Sequence, residues 1–264
     1  MEVIKEFFGF GGYNRPVEGF LSWQHILFVS VFFIPMILLS IYFGNKNRKK
    51  DKEEKNKLLV LTAILINTIE IIRITILCLR EKELGPIIYN LPLFLCSIQF
   101  ITIPLAAFSK GRVKEASLDF VFIFGILGSI MGTYFAGNNY GSFPVVCFDN
   151  VFSNITHCMS GFAALYIVMT NMESMKKKNL WISFSILGVF GVLAYISNIA
   201  LGANYMFLMG GDGTPYDIVY NLLNGHKVLY PLSVMILFVI YILVFYGIYY
   251  LIKNKKRKAI KLVV

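Results

Sequence analysis

Seven runs of roughly 20 apolar residues occupy most of this 264-residue chain, and a run of that length crosses the hydrocarbon of a bilayer as a helix. The expected spans are 25–43, 58–79, 89–108, 118–136, 151–172, 180–203 and 228–252. The runs are continuous rather than alternating, which excludes a β-barrel. With 57% hydrophobic and only 15% charged residues, the chain lacks the polar surface that a soluble domain of this length needs. The expected fold class is therefore all-α, a polytopic integral membrane protein with seven transmembrane helices.

The formal charge of +10 suggests nucleic acid only until the charges are placed. Loops on one side of the seven-span arrangement hold 19 of the 25 Lys and Arg, those on the other side hold 5, and Arg73 lies inside a span. Basic residues accumulate in cytoplasmic loops, so the N-terminus is expected outside and the C-terminus inside. The surplus then marks topology and contact with anionic lipid heads, and membrane lipids rather than nucleic acid are the expected partners. Trp23, Tyr89 and Tyr230 near outer ends, and Tyr42, Trp181, Tyr249 and Tyr250 near inner ends, fit aromatic anchoring at both interfaces. The basic cluster "NKNRKK" follows the first apolar run where a signal peptide would have a small-residue cleavage site. The organisation expected is an outer N-terminal segment (1–24) resting on the interface, a membrane domain (25–252) and a basic cytoplasmic tail (253–264).

Motifs are few. The four cysteines form no CxxC and no His/Cys set with zinc spacing, and no glycine-rich phosphate loop is present. Neither a metal nor a cofactor is expected. Cys78 and Cys147 both fall near the outer face, and their pairing stays open. Gly128 and Gly132 form a GxxxG pair, read as close helix packing. The longest linker, 204–227, carries "GGDGTP", which is turn chemistry; it reads either as a cap over a cavity or as a plain connector.

Ionisable side chains inside spans are costly and face the protein interior. At a rise of ~1.5 Å per residue, Cys96 lies ~10 Å below the outer ends, His157 and Arg73 ~9 Å, Glu70 ~13 Å and Asn198 ~7 Å. Four expected spans thus bring polar groups to one level in the outer half, while the inner halves read as nearly clean. Glu70 and Arg73 are i, i+3 and can pair on one helix. Asn154, His157 and Gly161 share a helical face, and Gln99 sits one turn from Cys96. His25 and His226, near outer ends, are expected to be hydrated. A thiol and an imidazole together are the minimum equipment for a thiolate nucleophile, for which Gln99, Asn154 or Asn198 are candidate oxyanion donors.

"LPLFLCS" in the third span, "NITHCMSG" in the fifth and "ANYMFLMGGDGTP" after the sixth resemble the YwaF-like bacterial integral membrane proteins. The resemblance runs through residues 20–252 as the order and spacing of spans, with "NYMFL…P" its most specific part. That group is similar to animal transmembrane proteins regarded as phospholipid acyltransferases, in which a cysteine nucleophile has a histidine partner. The resemblance implies that Cys96 and His157 carry the chemistry; Glu70, Arg73, Gln99, Asn154, Asn198, Asn204 and Tyr205 are expected as a supporting polar shell. It also implies a multi-pass protein of the bacterial cytoplasmic membrane. The animal motif has a Cys-His dipeptide, whereas here Ser97 follows Cys96. Three functions remain in view: a lipid transacylase or hydrolase, a transporter for a small polar solute, and a non-enzymatic membrane or assembly protein. Polar groups confined to one half of the membrane favour the first over a through-going path.

Overall fold

The computed structural model describes residues 2–263, with side chains through Lys255; the side chains of the basic tail beyond that point lie outside the described residues. Among the described residues the regular structure is helical, without a strand. In chain order the α-helices are α1 (Glu2–Phe8), α2 (Trp23–Asn47), α3 (Lys52–Glu81), α4 (Gly85–Tyr89), α5 (Gln99–Phe108), α6 (Gly111–Met131), α7 (Gly137–Ser142), α8 (Phe148–Met169), α9 (Leu180–Leu201), α10 (Tyr216–Leu222) and α11 (Leu229–Val263). Starts are set locally. Ser22 accepts the His25 amide at 3.2 Å ahead of α2, and Asp51 accepts the Glu54 amide at 2.8 Å ahead of α3, each satisfying a donor that the first helical turn leaves free.

Among the described residues, five helical stretches are long and apolar enough to cross a membrane: Trp23–Asn47, Lys52–Glu81, Phe148–Met169, Lys177–Leu201 and Leu229–Lys255. The two other expected spans differ. Residues 89–108 do not form one helix: the chain leaves α4 at Asn90, turns irregularly through 91–98 and resumes as the 10-residue α5. Pro92 supplies no amide hydrogen within that stretch, so a continuous helix would lose a bond there. The fourth expected span begins earlier, at Gly111, and carries Arg112, Lys114, Glu115 and Asp119 in its first half.

The chain divides into two compact units, Met1–Met206 and Phe207–Val264. In the first, α8 packs against α2, α3 and α6, α5 packs against α3 and α6, and α9 packs on α6. The seam of α6 and α8 is close: a Cβ at Gly125 would stand 2.8 Å from the Ser160 carbonyl oxygen, and one at Gly161 would stand 2.7 Å from Ser129 Cβ. The N-terminal segment is tied to the rest of its unit. Phe8 packs on Phe148 with ring centroids 5.2 Å apart, Arg15 Nη2 donates to the Val146 carbonyl at 2.6 Å, and Glu18 accepts the Val145 amide at 2.7 Å. In the second unit, "GGDGTP" is a turn, with the Gly213 amide donating to Asp217 at 2.8 Å ahead of α10.

The half of the bundle expected to be nearly clean of polar groups contains a buried carboxylate. Asp119 of α6 is fully enclosed. It accepts the Ser174 and Met175 amides, both at 2.8 Å, the Ser174 hydroxyl at 3.1 Å and Asn179 Nδ2 at 2.9 Å. Four donors from the α8–α9 connection replace its hydration, which is how a carboxylate is retained in an apolar interior.

Candidate functional site

The irregular stretch 91–98 places the thiol. The Ser97 hydroxyl accepts the Phe94 amide at 3.0 Å and donates to the Phe94 carbonyl at 3.1 Å, and the Ile98 amide donates to the same carbonyl at 2.9 Å. Cys96 thus rides on a tight turn at the head of α5 rather than inside a helix. Non-helical backbone persists at membrane depth where it is buried in protein or lines a cavity.

His157 comes from α8, and its imidazole stands beside the Cys96 thiol in the wall of one cavity, close enough for the two groups to interact electrostatically. One turn earlier on the same helix, the Ser153 carbonyl lies 2.7 Å from His157 Nδ1. A carbonyl only accepts, so Nδ1 carries the proton and Nε2 is the ring's free acceptor. The imidazole is thereby held in the tautomer that takes a proton from the thiol. The facing wall of α6 is glycine. A Cβ at Gly128 would rest 3.6 Å from Cys96 Cβ, an ordinary contact, whereas a Cβ at Gly132 would fall inside the His157 ring. The GxxxG pair read as packing therefore also makes room for both reactive side chains.

Cys96 and His157 open into a cavity of about 400 Å³, within the size range of small-molecule sites. Glu70 and Arg73 line it as a bidentate pair, Nε to Oε2 at 2.9 Å and Nη2 to Oε1 at 2.7 Å, and Arg73 Nη2 also donates to Asn90 Oδ1 at 2.7 Å. A second ion pair stands beside it: Arg80 Nη1 lies 2.6 Å from Asp149 Oδ2, and the Tyr13 hydroxyl donates to the same oxygen at 2.5 Å. Burial and the adjacent carboxylate push the Tyr13 phenol up, so its hydroxyl keeps the donating proton. Leu77, Leu91, Phe94, Phe100 and Phe143 give the apolar part of the wall, and Asn139, Ser153, Thr156 and Ser160 add polar groups, making a mixed chamber that holds two ion pairs.

Of the shell expected from sequence, Glu70 and Arg73 line this cavity and the rest do not. Gln99 is enclosed and accepts from Thr102 at 3.0 Å. Asn154 donates to the Tyr140 hydroxyl at 2.5 Å and to the Asn150 carbonyl at 2.8 Å. Asn198 donates to the Tyr205 carbonyl at 3.0 Å and accepts the Tyr205 amide at 2.6 Å, pinning the end of α9. Tyr205 directs its hydroxyl to the Ile88 carbonyl, and Asn204 lies in the same turn, outside the cavity lining. His25, expected to be hydrated, is buried: its Nε2 lies 3.2 Å from the Thr133 carbonyl and its ring stacks on Tyr140. Residues that sequence reasoning missed are Asn90, Ser153, Gly132 as a site residue, and the Tyr13–Asp149–Arg80 group. The four cysteines are free thiols, and among the described residues no three His, Cys, Asp or Glu side chains converge as a metal site.

Several apolar helices of membrane-spanning length, with a thiol, an imidazole and ion pairs turned inward, define a multi-pass membrane protein with a polar internal chamber. Within that class the chain belongs to the TMEM164 family, whose model matches residues 20–250. No curated protein and no solved structure matches the chain.

Proposed function

We propose that this protein is a lipid acyltransferase or transacylase that works through a thioester on Cys96. The observation that carries the reading is the meeting of Cys96 and His157 in one cavity wall, with His157 Nδ1 committed to the Ser153 carbonyl, in a chamber opening among membrane helices. In the reaction, His157 Nε2 takes the thiol proton and the sulfur attacks the acyl carbonyl of a lipid ester. The main-chain N–H groups of Cys96 and Ser97, which precede the first turn of α5, are the donors nearest to hand for the negative charge that develops on the carbonyl oxygen. Collapse breaks the ester C–O bond, the imidazolium returns its proton to the departing alkoxide, and the acyl group stays on sulfur. A hydroxyl of a second lipid, or water, then gives its proton to His157 and attacks the thioester; the C–S bond breaks, the imidazolium returns its proton to the sulfur, and an acylated lipid, or a free fatty acid when water attacks, is released. Glu70–Arg73 and Arg80–Asp149 line the chamber as neutral pairs, which limits the cost of desolvating it.

The resemblance to YwaF-like proteins, and through them to animal phospholipid acyltransferases, supports the same reading. So does the topology proposed with it: seven passes, with the interrupted 89–108 stretch and α6 completing the five long helices. The N-terminus is outside, the C-terminus inside, and the membrane is the cytoplasmic one. The test is to reconstitute the protein with lipid carrying an isotope-labelled acyl chain and to follow protein mass and lipid products. A hydroxylamine-sensitive acyl adduct on the Cys96 peptide, lost in Cys96→Ser along with acyl exchange, is the expected result. Unchanged exchange in Cys96→Ser overturns the reading.

A further inference from the structure

The N-terminal segment is built as a unit. Glu6 of α1 accepts the Asn14 amide at 3.0 Å and the Arg15 amide at 3.1 Å, folding residues 6–15 into one loop. Gly9, at φ +71, lets the loop close tightly; a Cβ there would stand 2.8 Å from Tyr13 Cζ and 3.1 Å from Arg80 Nη1. Beyond the unit, Gly19 at φ +97 has open space around it and precedes α2, so the chain can swing there with little steric cost.

Four polar contacts fasten this unit to the rest, and the partners of Tyr13, Asp149 and Arg80, line the chamber. Tyr13 donates to Asp149 and packs edge-on against Phe143, and both of those residues line the cavity. Arg15 and Glu18 hold the main chain of Val146 and Val145 in the same connection. The Asp149 carboxylate is shared: Arg80 of α3 grips it from the other side at 2.6 Å and 3.3 Å. If Tyr13 departs, Asp149 keeps its charged partner and the phenol enters water, so opening strands no buried charge.

We infer that residues 2–18 form a hinged lid over the mouth of the Cys96–His157 chamber, latched by Tyr13 on Asp149. The lid regulates access to the site proposed above and rests on that reading for its purpose. Its existence is testable without turnover. In the full-length protein reconstituted in liposomes, the rate of Cys96 alkylation by a water-soluble maleimide is followed by peptide mapping. Tyr13→Phe removes the latch hydroxyl and leaves its ring. Glu18→Ala removes a fastening outside the chamber, so it loosens the lid even if the first variant folds poorly. Losing one charge-assisted hydrogen bond corresponds to a rise of about tenfold in the open fraction. The expected result is that rise at Cys96 in both variants, with the buried Cys158 still protected. Rates within about threefold of the parent protein overturn the lid, as does a parallel rise at Cys158, which reports general loosening. Neither outcome touches the thioester reading, which stands or falls on acyl exchange in Cys96→Ser.

Discussion

Gly132→Ala is a one-carbon test of the reactive pair. Gly132 ends α6 at φ −81, ψ −2, which alanine adopts freely, so the substitution acts through its methyl alone. That methyl falls inside the His157 ring. Either the imidazole leaves its place or α6 and α8 separate, and overpacking of this kind costs about 1–3 kcal/mol. The ring cannot shift far while keeping both the Ser153 carbonyl at 2.7 Å and the Cys96 thiol. An unassisted thiol with a pKa of about 8.5 is only ~3% ionised at pH 7. Loss of the base therefore lowers Cys96 labelling by an acyl-type electrophile by up to ~30-fold, matching His157→Ala. Gly128→Ala, whose methyl makes an ordinary 3.6 Å contact with Cys96 Cβ, is expected to label within about twofold of the parent protein. Gly125→Ala is the packing control: it meets the Ser160 carbonyl at 2.8 Å and lowers thermal stability without changing labelling of the folded fraction. Parent-like labelling in a folded Gly132→Ala protein, together with reduced labelling in Gly128→Ala, refutes this account of the glycine face.

Three further outcomes are expected. Arg73→Gln leaves Glu70, only 8% exposed, without its bidentate partner; the expected loss is about 3–5 kcal/mol by unfolding in detergent, largely recovered by adding Glu70→Gln, and a Glu70→Gln change that gives no recovery contradicts the pairing. Asp119→Ala removes the buried acceptor shared by the Ser174 and Met175 amides, the Ser174 hydroxyl and Asn179 Nδ2 and costs about 3 kcal/mol or more, whereas Ser185→Ala on the exposed face of α9 leaves the melting temperature unchanged. A reporter fused after Lys261 is expected to read as cytoplasmic, given the 19-to-5 distribution of basic residues; an extracytoplasmic readout overturns the orientation.

What was legible in the sequence followed from properties that one helix settles by itself. Runs of apolar residues marked α2, α3, α8, α9 and α11 because length and hydropathy decide whether a helix can cross hydrocarbon. Glu70 and Arg73 were readable as a pair because i, i+3 neighbours meet on any helix. Ionisable residues in such runs pointed inward because exposure to lipid is costly, and that placed Cys96 and His157 together. The tertiary structure decided the rest. Equal depth does not give equal direction: Asn198, at the level of the pair, turns to the Tyr205 backbone, and Asn154 turns to Tyr140. A polar side chain in a dry interior takes whichever donor or acceptor the neighbouring chain brings within reach, and no single-helix pattern encodes that. The break at 91–98, the Ser153 carbonyl behind His157, and the latch joining Tyr13 to Asp149 across 136 residues all depend on partners distant in the chain or on main-chain atoms. Every residue carries the same carbonyl and amide, so their roles appear only when the helices have packed.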